Sequence, residues 1–187
     1  MNMPMQRGRL FVISAPSGAG KSTVVSLLRS RFPGLAFSVS CTTRPRRNGE
    51  KDGVHYRFIE RKNFERMAAE GEFAEWAEVH GELYGTPIGP LEEMLSKGQD
   101  VLLDVDVQGG MAIKNSFPDA KTIFLVPPSM EELERRLVGR KTDSPKQIEL
   151  RLENARIEMG FKKSYDITVV NDDVDRAVDE LSGIVSR

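Results

Sequence analysis

Two hydrophobic patterns alternate along this chain. Runs of consecutive apolar residues read as strands buried on both faces, and stretches with apolar positions every three or four residues read as helices packed on one face. Leu10, Phe11, Val12 and Ile13 form the first run, and Val24, Leu27, Leu28 and Phe32 then share one helical face. Residues 35–40 alternate as a short strand, 55–59 resemble another, and 62–70 place Phe64, Met67 and Ala68 on one side of a short helix ended by Gly71. Helical spacing returns at Leu91, Met94 and Leu95, up to Gly98, and Gln108-Gly109-Gly110 opens a further short helix. Strands are predicted at 100–106, 122–126 and 166–170. Ser129 and Glu132 form a capping box for a helix to about Val138. A loop at 142–145 precedes a longer helix with Ile148, Leu152, Ala155 and Met159 in register, and Val174, Ala177, Val178, Leu181, Ile184 and Val185 line a closing one. With right-handed crossovers, this alternation predicts an α/β fold: a parallel sheet flanked by helices on both faces.

Two stretches interrupt the alternation. Residues 41–50 are polar, carry Arg44, Arg46 and Arg47 among Pro and Gly, and read as a basic loop. Residues 72–79 mix Phe73, Glu75, Trp76 and Glu78 too freely for a core strand, and 81–87 are turn-rich. The chain thus divides into a core domain (1–39, 87–128 and 161–187), a small mixed insertion at 40–86 in which Trp76 packs, and a helical segment at 129–160 able to act as a lid. Both additions leave the sheet at its carboxyl edge.

Composition narrows the class. A length of 187 residues suits one domain with insertions. With 27 Lys and Arg against 28 Asp and Glu, the net charge of −1 provides no global field for nucleic acid or an anionic membrane, so anions must be held by local clusters. A single cysteine, Cys41, excludes an internal disulfide framework and fits a reducing compartment. His55 and His80 lack metal-ligand spacing and read as surface or satisfied polar groups. Residues 1–7 contain no apolar signal region, and no run approaches the roughly 18 apolar residues of a membrane span. The expectation is a cytoplasmic protein, monomer or homodimer, with neither nucleic-acid nor membrane partners.

The chemistry starts where the first strand meets the first helix. Ala15-Pro16-Ser17-Gly18-Ala19-Gly20-Lys21-Ser22, continued by Thr23, matches the phosphate-binding P-loop with alanine in place of the first glycine. Its backbone N–H groups and the helix terminus suit an anion, Lys21 reaches a terminal phosphate, and Ser22 can ligand Mg²⁺. Asp104 and Asp106, ending an apolar strand, are candidates for the acid of the Mg²⁺ shell. The arginine loop suits a second phosphate. Arg136, Arg140 and Arg151 can converge on phosphates if their helices close over the P-loop, whereas Arg135 and Arg156 read as solvated. This layout describes a phosphoryl transferase that works by positioning and charge neutralisation, without a general base.

Residues 14–23, 38–40, Thr43-Arg44, 47–50, Gly53 to Tyr56, Glu75-Trp76, Tyr84-Gly85-Thr86, Asp104 to Gly109 and 170–173 together resemble guanylate kinase, a P-loop nucleoside monophosphate kinase. The resemblance spans nearly the whole chain. It implies transfer of the γ-phosphate of ATP to GMP, with dGMP as a secondary acceptor and Mg²⁺ as cofactor. It makes 40–86 the insertion that binds the monophosphate and 129–160 the lid. It further implies that Ser40, Arg44, Arg47 (with Arg46 as alternative), Tyr56 and Tyr84 hold the GMP phosphate, and that Glu75, Thr86 and Asp106 face guanine. Ser17 to Thr23 and Asn171 would bind ATP, Ser22 and, through water, Asp104 the metal, while Lys21, Arg44, Arg136, Arg140 and Arg151 serve transfer. Guanine offers N1–H and an amino group side by side, which an acceptor-only carboxylate matches. The rival reading is a guanylate-kinase-like module that binds phosphopeptide without catalysis; its expected marks, a damaged P-loop and missing lid arginines, are absent here.

Overall fold

The computed structural model describes residues 6–79, 81–139 and 144–186. A five-stranded parallel sheet forms its centre: β1 (Leu10–Ser14), β2 (Ala36–Phe37), β7 (Val101–Asp104), β8 (Lys121–Val126) and β9 (Ile167–Val170), in the spatial order β2-β7-β1-β8-β9. All five residues of β1 are buried, as expected for the central strand of a covered sheet. Its side chains divide by the two-residue period of a strand. Phe11 and Ile13 pack with Val24, Leu28, Val178 and Leu181 of α1 (Lys21–Arg31) and α7 (Val174–Val185) on one face. Leu10 and Val12 pack on the other with Leu91, Leu95 and Ile113 of α3 (Ile88–Ser96) and α4 (Val107–Ser116). Each such fully buried aliphatic side chain is worth about 1.5–3 kcal/mol.

The interruption at 41–87 contains a second sheet. β3 (Cys41–Thr42), β4 (Arg57–Phe58), β5 (Phe73–Val79) and β6 (Glu82–Pro87) lie in the order β4-β3-β6-β5, above α2 (Arg61–Ala69). This corrects three sequence expectations. The segment read as turn-rich is a strand, and it pairs in an antiparallel hairpin with the segment read as too mixed for a core strand, Trp76 opposite Gly85 and Ala77 opposite Tyr84. The predicted strand at 35–40 shrinks to Ala36–Phe37, because the chain leaves the core after Phe37 and joins the second sheet only at Cys41. Trp76 makes an edge contact with Phe64 but remains 53% exposed, so the packing centre is the stacked pair Phe64–Phe73, with ring centroids 4.4 Å apart. Gly85 permits that pair: a Cβ there would lie 2.9 Å from Phe73 and 3.0 Å from Phe64.

α5 (Met130–Gly139) and α6 (Pro145–Met159) pack through Leu133, Leu137, Leu152 and Ala155. The Ser129 hydroxyl accepts from the Glu132 N–H at 3.2 Å, but the Glu132 carboxylate turns to Arg135 and Arg136, so the predicted box is half made. The reciprocal box belongs to Ser144 and Gln147 at the start of α6. His55 Nδ1 accepts from the Lys51 N–H; His80 lies outside the described residues. Among the described residues no helix is long and apolar enough to cross a membrane.

Candidate active site

The loop between β1 and α1 turns through Gly18 and Gly20, with φ of 93° and 92°, a left-handed conformation open to glycine at little cost. Gly20 precedes α1 without a side-chain cap and no acidic residue occupies the first turn, so the terminal amides stay available to an anion. Ala15, at the position of the missing glycine, is buried in the core. The loop is braced from three sides. The Asn171 amide donates to Ala19 O at 2.7 Å, and Arg136 donates to Asn171 O at 2.9 Å while pairing with Glu132 at 2.8 Å. Leu133 and Leu137 of α5 abut Gly18. The third brace is Glu158, whose Oε2 accepts the Ser17 N–H at 3.0 Å.

Asn171 Oδ1 is the single buried side-chain oxygen or nitrogen among the described residues that lacks a protein partner. It borders a groove with Gly20, Thr23, Arg135 and Asp172. An unsatisfied buried acceptor costs about 1–3 kcal/mol, which a ligand donor would relieve.

Lys21, the first residue of α1, faces a second cavity. Its ammonium donates to Val105 O at 2.7 Å and pairs with Asp104, and it also lines a cavity of about 210 Å³ between the two sheets. Ser40, Tyr56, Glu75, Tyr84 and Asp106 line the same cavity, with Ala77 and Val79 as apolar wall. Five of the eight residues expected around the monophosphate are thereby brought together. Thr86 stands behind Glu75 and donates to its Oε1 at 2.6 Å. Burial drives the Glu75 carboxyl up to about 7; the Thr86 hydrogen bond pulls the other way and nearby Asp106 adds to the rise. Asp106 also caps α4, accepting the Gly109 N–H on Oδ1 at 2.7 Å, and Gly109 leaves space for Glu75: a Cβ there would lie 2.7 Å from Glu75 Oε2.

The arginine loop separates its members. Arg44 is held by Glu50 through two hydrogen bonds of 2.7 and 3.1 Å, with its guanidinium 5.5 Å from the Tyr56 ring centroid. Tyr56 itself is pushed up to about 12, first by burial and then by Asp104. Arg46 and Arg47 are exposed, and Arg47 touches the cluster through its backbone N–H to Glu50. Ser22 and Thr23 are exposed in the first turn of α1. Arg151 lies half-buried on α6, and Arg140 lies outside the described residues. Sequence reasoning gave no site role to Glu50, Gly109, Glu132 or Glu158. The last carried one usable signal: it follows Arg151 by seven residues on an amphipathic helix, hence on the same face.

The sequence profile described as "Guanylate kinase" matches residues 7–187. The chain is 52% identical over 180 residues to the guanylate kinase of Syntrophotalea carbinolica, covering 96% of this chain and 86% of that one. It is 49% identical over 191 residues to that of Thermobifida fusca, covering 98% and 97%. The crystal structure of guanylate kinase from Anaplasma phagocytophilum superposes with a TM-score of 0.81 at 37% identity, over 98% of this chain and 87% of that one. A shikimate kinase from Bacteroides thetaiotaomicron, at TM-score 0.51 and 14% identity, shares the fold alone. The match extends across both sheets and the helical pair, and on it the chain belongs to the guanylate kinase family.

Proposed function

We propose that this chain transfers the γ-phosphate of ATP to GMP using the P-loop groove for the donor and the intersheet cavity for the acceptor. Membership of the family carries the reaction. The observation that carries the choice of acceptor is Glu75, a carboxylate 8% exposed, fixed by Thr86 and seated against Gly109 beside Asp106. Once ionised it accepts from guanine N1–H and the exocyclic amine together; adenine, with an acceptor at N1, would leave it buried and unpaired. Ser40, Tyr56, Tyr84, Arg44 and Arg47 then face the GMP phosphate. Ser17 to Thr23 cradle the ATP phosphates, and the unpaired Asn171 Oδ1 suits the exocyclic amine of adenine.

Lys21 reaches the acceptor cavity from the end of the P-loop and would follow the phosphoryl group as it crosses between the two sites. Arg136, Arg140 and Arg151 supply further positive charge from a lid spanning 129–160. The rest divides into a core at 1–39, 87–128 and 161–187 and an acceptor-binding insertion at 40–86. The Ser22 hydroxyl and Asp104 carboxylate are hard oxygen donors suited to Mg²⁺, Asp104 through water. When bound, that ion would offset charge on the β- and γ-phosphates. No cluster of three His, Cys, Asp or Glu side chains capable of holding a metal is found among the described residues. A phosphopeptide-binding module without catalysis is not favoured.

ADP formation with ATP and each of GMP, dGMP, AMP, CMP, UMP and dTMP tests the reading. Turnover is expected with GMP and, more slowly, dGMP. Comparable turnover of AMP would remove Glu75 from the specificity determinants.

A further inference from the structure

The amide of Ser17, near the start of the phosphate loop, is already engaged by a residue 141 positions further along the chain, Glu158 in the last turn of α6. We infer that Glu158 is a positioning residue: its carboxylate fixes the rotation of α6 on the phosphate loop, and so sets where Arg151 meets the transferring phosphate. The inference rests on the assignment of Arg151 as a phosphate-binding lid residue. Seven residues bring an α-helix back to within about 20° of the same face, about 10 Å along its axis. Glu158 therefore anchors the face of α6 that presents Arg151.

The apolar contacts of α6 do less to set its angle. Leu152 and Ala155 pack on Leu133 and Leu137 of α5, and Met159 packs on Val107, Phe124, Val126 and Tyr165. These apolar contacts are non-directional. A hydrogen bond from a loop amide to a carboxylate is directional, and it lies at the end of α6 where the helix joins the core. An angular error of about 10° there displaces a group about 10 Å away by roughly 2 Å. Misplacement by about 1 Å is enough to lower a rate by as much as 10²-fold. A carboxylate beside a polyphosphate site opposes nucleotide binding by repulsion, so its use at this position is as an acceptor for the lid helix.

Rates at saturating ATP and GMP would be compared for Glu158→Ala, Glu158→Gln, Arg151→Ala and the double variant E158A/R151A, with melting temperatures alongside. Glu158→Ala is expected to lower kcat about tenfold with the KM for GMP unchanged. Glu158→Gln, whose amide oxygen still accepts the Ser17 N–H, should stay within about twofold of wild type. The double variant should be no slower than Arg151→Ala alone. Should Glu158→Ala unfold, Glu158→Asp, which falls one methylene short, is expected to lose kcat in the same direction. Wild-type kcat in both Glu158→Ala and Glu158→Asp, an equal loss in Glu158→Gln, or losses that multiply in the double variant overturn the anchoring. An Arg151→Ala enzyme at the wild-type rate overturns the assignment of Arg151 itself. A loss in Arg151→Ala with none in Glu158→Ala overturns the anchoring alone.

Discussion

Glu75 joins function to stability at the scale of one residue. Its carboxyl titrates near 7 when folded and near its ordinary 4.5 when unfolded, chiefly because the folded chain buries it. Between those values the folded state keeps a proton that the unfolded state has released. Stability therefore falls as pH rises through this window and levels off above it, by an amount on the order of 3 kcal/mol. Glu75→Gln removes the ionisable group and keeps the acceptor for Thr86. Its melting temperature should exceed wild type at pH 8 and converge with it toward pH 4.5; parallel curves would mean that burial of this carboxyl carries no cost. The same change should lower kcat/KM for GMP by about 10²-fold, since one of two acceptors becomes a donor facing guanine. In the wild-type enzyme kcat/KM for GMP should decline below pH 7 as Glu75 protonates, and a decline unchanged in Glu75→Gln would assign it to another group. Lys21→Ala should reduce kcat by at least about 10²-fold. Calorimetry should then find GMP affinity within several-fold of wild type, because Tyr56, Tyr84 and Glu75 remain.

At the scale of elements, what was legible in the sequence depends on what each face touches. β1 and β8 are covered on both sides by apolar helices, so their residues form unbroken hydrophobic runs. The hairpin of β5 and β6 has one side on Phe64 and the other on the intersheet cavity, so Glu75 and Tyr84 turn toward that cavity. Hydrophobic periodicity detects burial in a core, and a strand face that lines a polar cavity gives it little signal. β2, β3 and β4, at two residues each, are shorter than the period can register. The P-loop was legible because its chemistry is local in sequence, whereas Glu158 and Glu132 act on it from helices more than a hundred residues away. The hairpin depends on Gly85, and Gly85→Ala forces a methyl against Phe64 and Phe73. The expected loss is about 1–3 kcal/mol of stability, with a rise in KM for GMP and little change in KM for ATP. A melting curve and separate substrate titrations check both, and an equal rise in the two KM values would show that the hairpin is not specific to the acceptor.

For the molecule as a whole, Lys21 lines the cavity between the two sheets, and three cations assigned to phosphate already have carboxylate partners: Lys21 with Asp104, Arg44 with Glu50, and Arg136 with Glu132. Those carboxylates balance locally the charge that would otherwise attract any small anion. Millimolar sulfate should therefore raise the melting temperature far less than GMP at the same concentration. Asp104→Asn should increase the sulfate effect while slowing phosphoryl transfer; no change in the sulfate response would mean that Asp104 does not govern access to Lys21. On the proposed assignment, substrate entry would be an ion exchange with protein carboxylates as the departing counter-ions, and a preference for nucleotide over inorganic salt would be set before either substrate arrives.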